Sequence, residues 1–140
     1  MDLILSIQDY EGYEPESKSV EDALPMFTFI YGWALSKDLL VSDLTKQPYF
    51  GAFEKVKAGE LSLKEFAIKF LDGKITRDMF KEPWIGEYIS DYIQTGTYSY
   101  ELEDFFSVGS VFELPEAWSD YEAFKEQLSK SFDSTSKNYK

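Results

Sequence analysis

The side chains able to do chemistry in this 140-residue chain are almost all carboxylates: 26 Asp and Glu stand against 14 Lys and Arg, with no histidine and no cysteine. Without imidazole or thiol there is no histidine-based triad, no thiolate nucleophile and no His or Cys metal site. Two acids flanking a glycosidic bond can hydrolyse it, but with 26 acids some pair falls at that spacing on almost any fold, and no pair is singled out. Calcium would need an Asp-x-Asp-x-Asp-Gly loop closed by a later Glu, whereas Asp72-Gly73-Lys74 reads as the end of a helix. Phosphate would need a Gly-rich loop followed by Lys-Ser or Lys-Thr, and the chain has neither that loop nor any arginine besides Arg77. The residues therefore point to a protein that is not an enzyme, with no catalytic residue, no cofactor and no metal.

Acids that catalyse nothing can still steer a partner. Residues 82–126 hold eleven acids against Lys125 alone, and residues 1–24 hold seven against Lys18, whereas residues 25–81 hold seven acids and nine bases. The net charge of -12 repels nucleic acid and anionic membrane surfaces and favours a basic protein as partner. Within the acidic stretch Tyr98 and Tyr100 stand beside Glu101, Glu103 and Asp104, with Glu87 and Asp91 a little earlier. Tyrosine next to carboxylate suits a wet interface with a cationic partner, through hydrogen bonds and cation–π contact. These seven residues are the candidate partner-binding set; the competing reading is a solvated face that only keeps the protein soluble.

The elements that must position them read as helices. The length is that of one domain, and 44% hydrophobic with 18% aromatic residues is enough to fold it. A central helix is expected from Asp22 or Pro25 to Ser36, apolar nearly all round, with Thr28, Gly32 and Ser36 as a narrow stripe of small residues where another helix could cross closely. A second is expected from Pro48 to Ala58. A third is capped by Ser62-x-x-Glu65 and stopped by Gly73, with Leu63, Phe66, Ala67, Phe70 and Leu71 on one face. A short turn follows from Thr76 to Phe80, then a helix from Pro83 to Gln94 stopped by Gly96, a helical segment from Tyr98 to Phe106, an irregular piece from Val108 to Leu114, and a last helix opened by Ser119-x-x-Glu122. Leu3 to Ile7 suits a short strand, with Val108 to Leu114 as its candidate partner, or an irregular arm. The expected architecture is all-α: a compact single-domain bundle of five to six helices, with residues 1–20 an N-terminal arm, 21–133 the helical domain and 134–140 a flexible tail.

No export signal is legible, because Leu3-Ile4-Leu5 follows Asp2 rather than a basic segment. The longest apolar stretch, Ala23 to Leu35, is interrupted by Pro25, Thr28 and Gly32 and is shorter than the roughly 20 residues that span a bilayer. Together with the lack of cysteine, this leads to the expectation of a cytoplasmic protein.

Four landmarks come in a fixed order: Phe29-Ile30-Tyr31-Gly32-Trp33-Ala34-Leu35, Asp72-Gly73-Lys74-Ile75-Thr76, the tyrosine-rich stretch Tyr88 to Tyr100, and Trp118-Ser119-Asp120-Tyr121 with Leu128 and Phe132. In that order, over about residues 23–135, the chain resembles a family of small acidic bacterial proteins similar to the immunity proteins of polymorphic-toxin systems. The resemblance implies a cytoplasmic α-helical protein that binds and neutralises a cognate toxin domain, and it carries over no catalytic residue. Where members of that family have a Trp-His-Tyr-Gly-like segment, this chain has Leu3 to Tyr13. The alternative is a non-catalytic interaction adaptor acting on another protein of the bacterial cytoplasm.

Overall fold

The computed structural model describes residues 3–140. In chain order these form β1 (Leu3–Ser6), α1 (Pro25–Ser36), α2 (Tyr49–Lys57), α3 (Leu63–Leu71), β2 (Lys74–Thr76), α4 (Pro83–Gln94), α5 (Thr97–Phe106) and α6 (Trp118–Thr135), joined by 3-10 turns. About two thirds of the chain is helical, so the expected all-α domain is observed, with one small antiparallel sheet added. No helix among the described residues is long and apolar enough to cross a membrane.

α1 is the axis of the fold because its sequence has no polar face. Proline is tolerated at its start, where no helical N–H is required, and every residue from Pro25 to Ala34 is buried. The helix packs against α3 and α6. Phe29 meets Tyr121 and Phe124 of α6 at ring-centroid distances of 4.8 and 5.4 Å, while Tyr31 meets Phe66 of α3 at 4.9 Å. Along the small-residue stripe α3 comes close at Thr28, whereas Gly32 is filled by side chains. Thr28 donates its hydroxyl to the Leu63 carbonyl at 2.6 Å, and a Cβ at Gly32 would overlap the rings of Trp118 and Phe53. Glycine here makes room for two aromatic side chains rather than for a second backbone.

α3 starts as its sequence says, with the Ser62 hydroxyl accepting the Glu65 N–H at 3.0 Å. It ends with Asp72 and Gly73 both in the left-handed region, at φ 56° and 63°, which turns the chain directly into β2. β2 pairs with β1, Leu5 opposite Ile75 and Ser6 opposite Lys74. That replaces the pairing with Val108 to Leu114, a stretch that forms a loop with a 3-10 turn at Val111–Glu113. Ile4, Leu5 and Ile75 join the main core, so the expected arm is part of the domain from Leu3 onward; its residues 1–2 lie outside the described residues. α6 begins one residue earlier than the Ser119 signal, and Glu122 accepts a hydrogen bond from the Trp118 indole at 2.5 Å instead of closing a capping box.

The tail is also different from the expectation. α6 continues to Thr135, a 3-10 turn follows at Ser136–Asn138, and Ser136 is buried. The Tyr139 hydroxyl donates to Asp91 at 2.7 Å, and the Lys140 ammonium lies 5.1 Å from the centre of the Trp84 ring. Residues 134–140 thus fold back onto α4.

Candidate functional site

α4 and α5 place most of the acidic candidates. In α4 a run of Ile85, Tyr88, Ile89, Tyr92 and Ile93 is buried and leaves Glu87 and Asp91 outside. The chain turns at Gly96, at φ 84°, into α5, whose inner side carries Tyr98 and Leu102, one turn apart and fully buried. Tyr100 and Asp104, also one turn apart, are exposed, with half-buried Glu103 between them. Residues three and four apart share a helix face. The outer face of α5 is accordingly tyrosine and acid, bordered by Phe105, which is 43% exposed.

Tyr98 is a correction to the candidate set. It is 0% exposed, and its hydroxyl donates to the Met26 carbonyl of α1 at 2.7 Å, so it is a core residue with its polar tip satisfied. Residues two apart on a helix point to different sides, and the spacing Tyr98, Leu102, Phe106 is the signal that separates the core tyrosine from Tyr100. Glu87 lies apart from the α5 face, held by the Arg77 guanidinium at 3.1 Å.

Asp91 and Glu101 form a second group, in a pocket of about 370 Å³ between α4, α5 and the end of α6. Glu101 accepts the Tyr92 hydroxyl at 2.6 Å and the Ser131 hydroxyl at 3.1 Å on both carboxylate oxygens. Tyr88 and Tyr92, one turn apart, stack nearly parallel at 5.7 Å, and Tyr139 stands edge-on to Tyr88 at the same distance. Burial, reinforced by the negative charge of Glu101, pushes the Tyr88 and Tyr92 phenols well above their ordinary range, so both keep their protons. The Tyr139 phenol is raised chiefly by its hydrogen bond to Asp91. A tail expected to be flexible conceals this pocket in the sequence, where the hydroxyl-rich run Ser131, Ser134, Thr135 is its one visible sign.

The acidic face is largely uncompensated. Of the eleven acids in residues 82–126, only Glu87, Glu116 and Glu122 have an ion-pair partner among the described residues. A larger pocket, about 660 Å³, lies elsewhere, between the α2–α3 connection and the start of α6, and holds none of the seven candidates. No cluster of three or more metal-ligating side chains occurs among the described residues.

Fold and surface together define a single-domain helical protein, capped by a two-stranded sheet and bearing an acidic, tyrosine-containing helix face. The chain belongs to the family described as Domain of unknown function (DUF7832), whose model matches residues 8–118. The match runs from the first 3-10 turn to the first residue of α6, so it includes α4 and α5. Comparison with curated proteins and with solved structures finds no match.

Proposed function

We propose that this protein is an immunity protein of the bacterial cytoplasm, which binds a basic toxin domain and neutralises it by occlusion rather than by chemistry. The observation that carries the reading is the outer face of α5: Tyr100 is 67% exposed, and Glu103 and Asp104 have no ion-pair partner among the described residues. An exposed aromatic flanked by free carboxylates offers a cation both charge attraction and a ring face. Clustered acids accelerate encounter, while the aromatic anchors, Tyr100 and Phe105, set how long the complex lasts. The resemblance of the landmark order to toxin-immunity proteins selects a toxin as the basic partner.

The test is co-purification with the product of the neighbouring gene, followed by stopped-flow association. Replacing Glu103→Gln and Asp104→Asn together should slow association by about tenfold at low salt and flatten its salt dependence. Tyr100→Ala should mainly speed dissociation. Unchanged rates in all three positions remove α5 as the docking face, and a partner that carries no toxin activity turns the reading to an adaptor.

A further inference from the structure

The pocket between α4, α5 and the end of α6 contains an unbalanced set of polar groups. Tyr88 lines it and is 3% exposed, and its hydroxyl is the one buried side-chain polar atom without a hydrogen-bond partner among the described residues. A buried hydroxyl left unpaired costs on the order of a hydrogen bond's desolvation and is rare enough to need a reason. Two carboxylates, Asp91 and Glu101, line the same space, and no lysine or arginine does.

We infer that this pocket is a binding site for a primary ammonium group. The acceptors left over match such a group's three N–H donors. These acceptors are the Tyr88 oxygen, the second oxygen of Asp91 beside the one taken by Tyr139, and the Glu101 oxygen that Ser131 alone reaches, which keeps a lone pair to spare. Other ligand classes fit less well. An anion meets two carboxylates and no cation, and Ca2+ takes six to eight oxygen ligands where no group of three or more metal-ligating side chains occurs among the described residues. A guanidinium seeks two parallel acceptors on one carboxylate, and one oxygen of each is already held by a phenol, Tyr92 on Glu101 and Tyr139 on Asp91. A compact ammonium needs only single contacts, one to each of these acceptors. The tail completes the site, because Tyr139 both fixes Asp91 and walls the pocket. None of this depends on whether α5 docks a toxin.

The test is titration of the full chain with n-butylammonium chloride at constant ionic strength, followed by amide and side-chain NMR, with n-butanol as the neutral control. Saturable shifts confined to Tyr88, Asp91, Thr95, Glu101, Ser131 and Tyr139, absent with butanol, are expected. Glu101→Gln keeps an acceptor for Tyr92 and Ser131 but removes the charge, and should weaken binding about tenfold. Tyr88→Phe should weaken it severalfold while leaving thermal stability unchanged or raised, since it deletes an unpaired polar atom. A hydroxyl with no ligand would give the same stability result but no change in butylammonium binding. Two further arms separate the sources of the ammonium. Tighter binding of 1,4-diaminobutane points to a free diamine, and tighter binding of Nα-acetyl-lysine methylamide to a lysine side chain of a partner. Absence of saturation, equal response to butanol, or affinity untouched by Glu101→Gln and Tyr88→Phe overturns the inference.

Discussion

Gly32 sits where three helices share space, and its side is filled by Trp118 from α6 and Phe53 from α2, whose rings meet at 4.9 Å. Both are rigid rings in a packed core, so an added methyl forces backbone or ring displacement. Gly32→Ala gains about 1 kcal/mol of helix propensity and should still lose a net 1–3 kcal/mol, roughly, through overpacking, read as a lower urea midpoint with unchanged slope. A titrating residue gives a pH-dependent counterpart. Asp22 accepts from the Lys64 ammonium at 2.5 Å and from the Ser19 N–H at 2.9 Å. The Lys64 hydrogen bond first and the Ser19 one second hold its carboxyl below the ordinary value of 3.8. Burial alone would lower Lys64, but its hydrogen bonds to Asp22 and Glu116 outweigh that and raise it. A depressed carboxyl stabilises the fold above its unfolded pKa and loses that effect as pH falls through the folded value. Asp22→Asn should therefore cost up to about 1 kcal/mol at neutral pH, given that the pair is partly exposed. Thermal melts of the two proteins should converge as pH is lowered below the ordinary aspartate range.

Among the elements, the ones with a strong apolar period or a clear start signal were legible: α1, α3, α4 and α6 lie within a few residues of where Pro25, Ser62, Pro83 and Ser119 put them. What the period cannot convey is contact across the sequence. β2 is three residues with only Ile75 fully buried, too short to show an alternation, so its pairing with β1 was invisible and a longer apolar stretch looked the better partner. The tail is polar throughout, and its order comes from Tyr139 reaching Asp91, 48 residues away. The acidic face was legible as a charge run, yet its division into an outer α5 face and a pocket needed the Gly96 turn and the tail. Deleting residues 136–140 removes the buried Ser136, the Tyr139 hydrogen bond and the Lys140 contact with Trp84. We expect a loss of about 1–2 kcal/mol, seen as a melting temperature lowered by several degrees. Amide exchange should quicken along the Tyr88 to Thr95 end of α4 while α1 keeps its protection. Equal exchange throughout would mean that the tail contributes nothing to α4.

At the scale of the whole molecule the charge acts on folding and docking with opposite sign. The net charge is -12 with a sequence pI near 4.4, and most acids of residues 82–126 have no cation beside them among the described residues. Like charges held on one compact surface repel each other more than they do in the unfolded chain, so the native state carries a self-repulsion that salt screens. The eight ion pairs among the described residues that salt would weaken are all at least partly solvated, where each is worth little. Raising ionic strength from about 0.01 to 0.5 M, which shortens the screening length from roughly 30 to below 10 Å, should therefore raise the melting temperature. The same salt should slow association with a basic partner, because the field that strains the fold is the field that steers the encounter. Neutralising Glu103 and Asp104 should then shift both properties at once, with a melt less sensitive to salt and an on-rate less sensitive to salt. A melting temperature that falls with salt would show that ion pairs, such as the one between Asp22 and Lys64, outweigh repulsion in this fold.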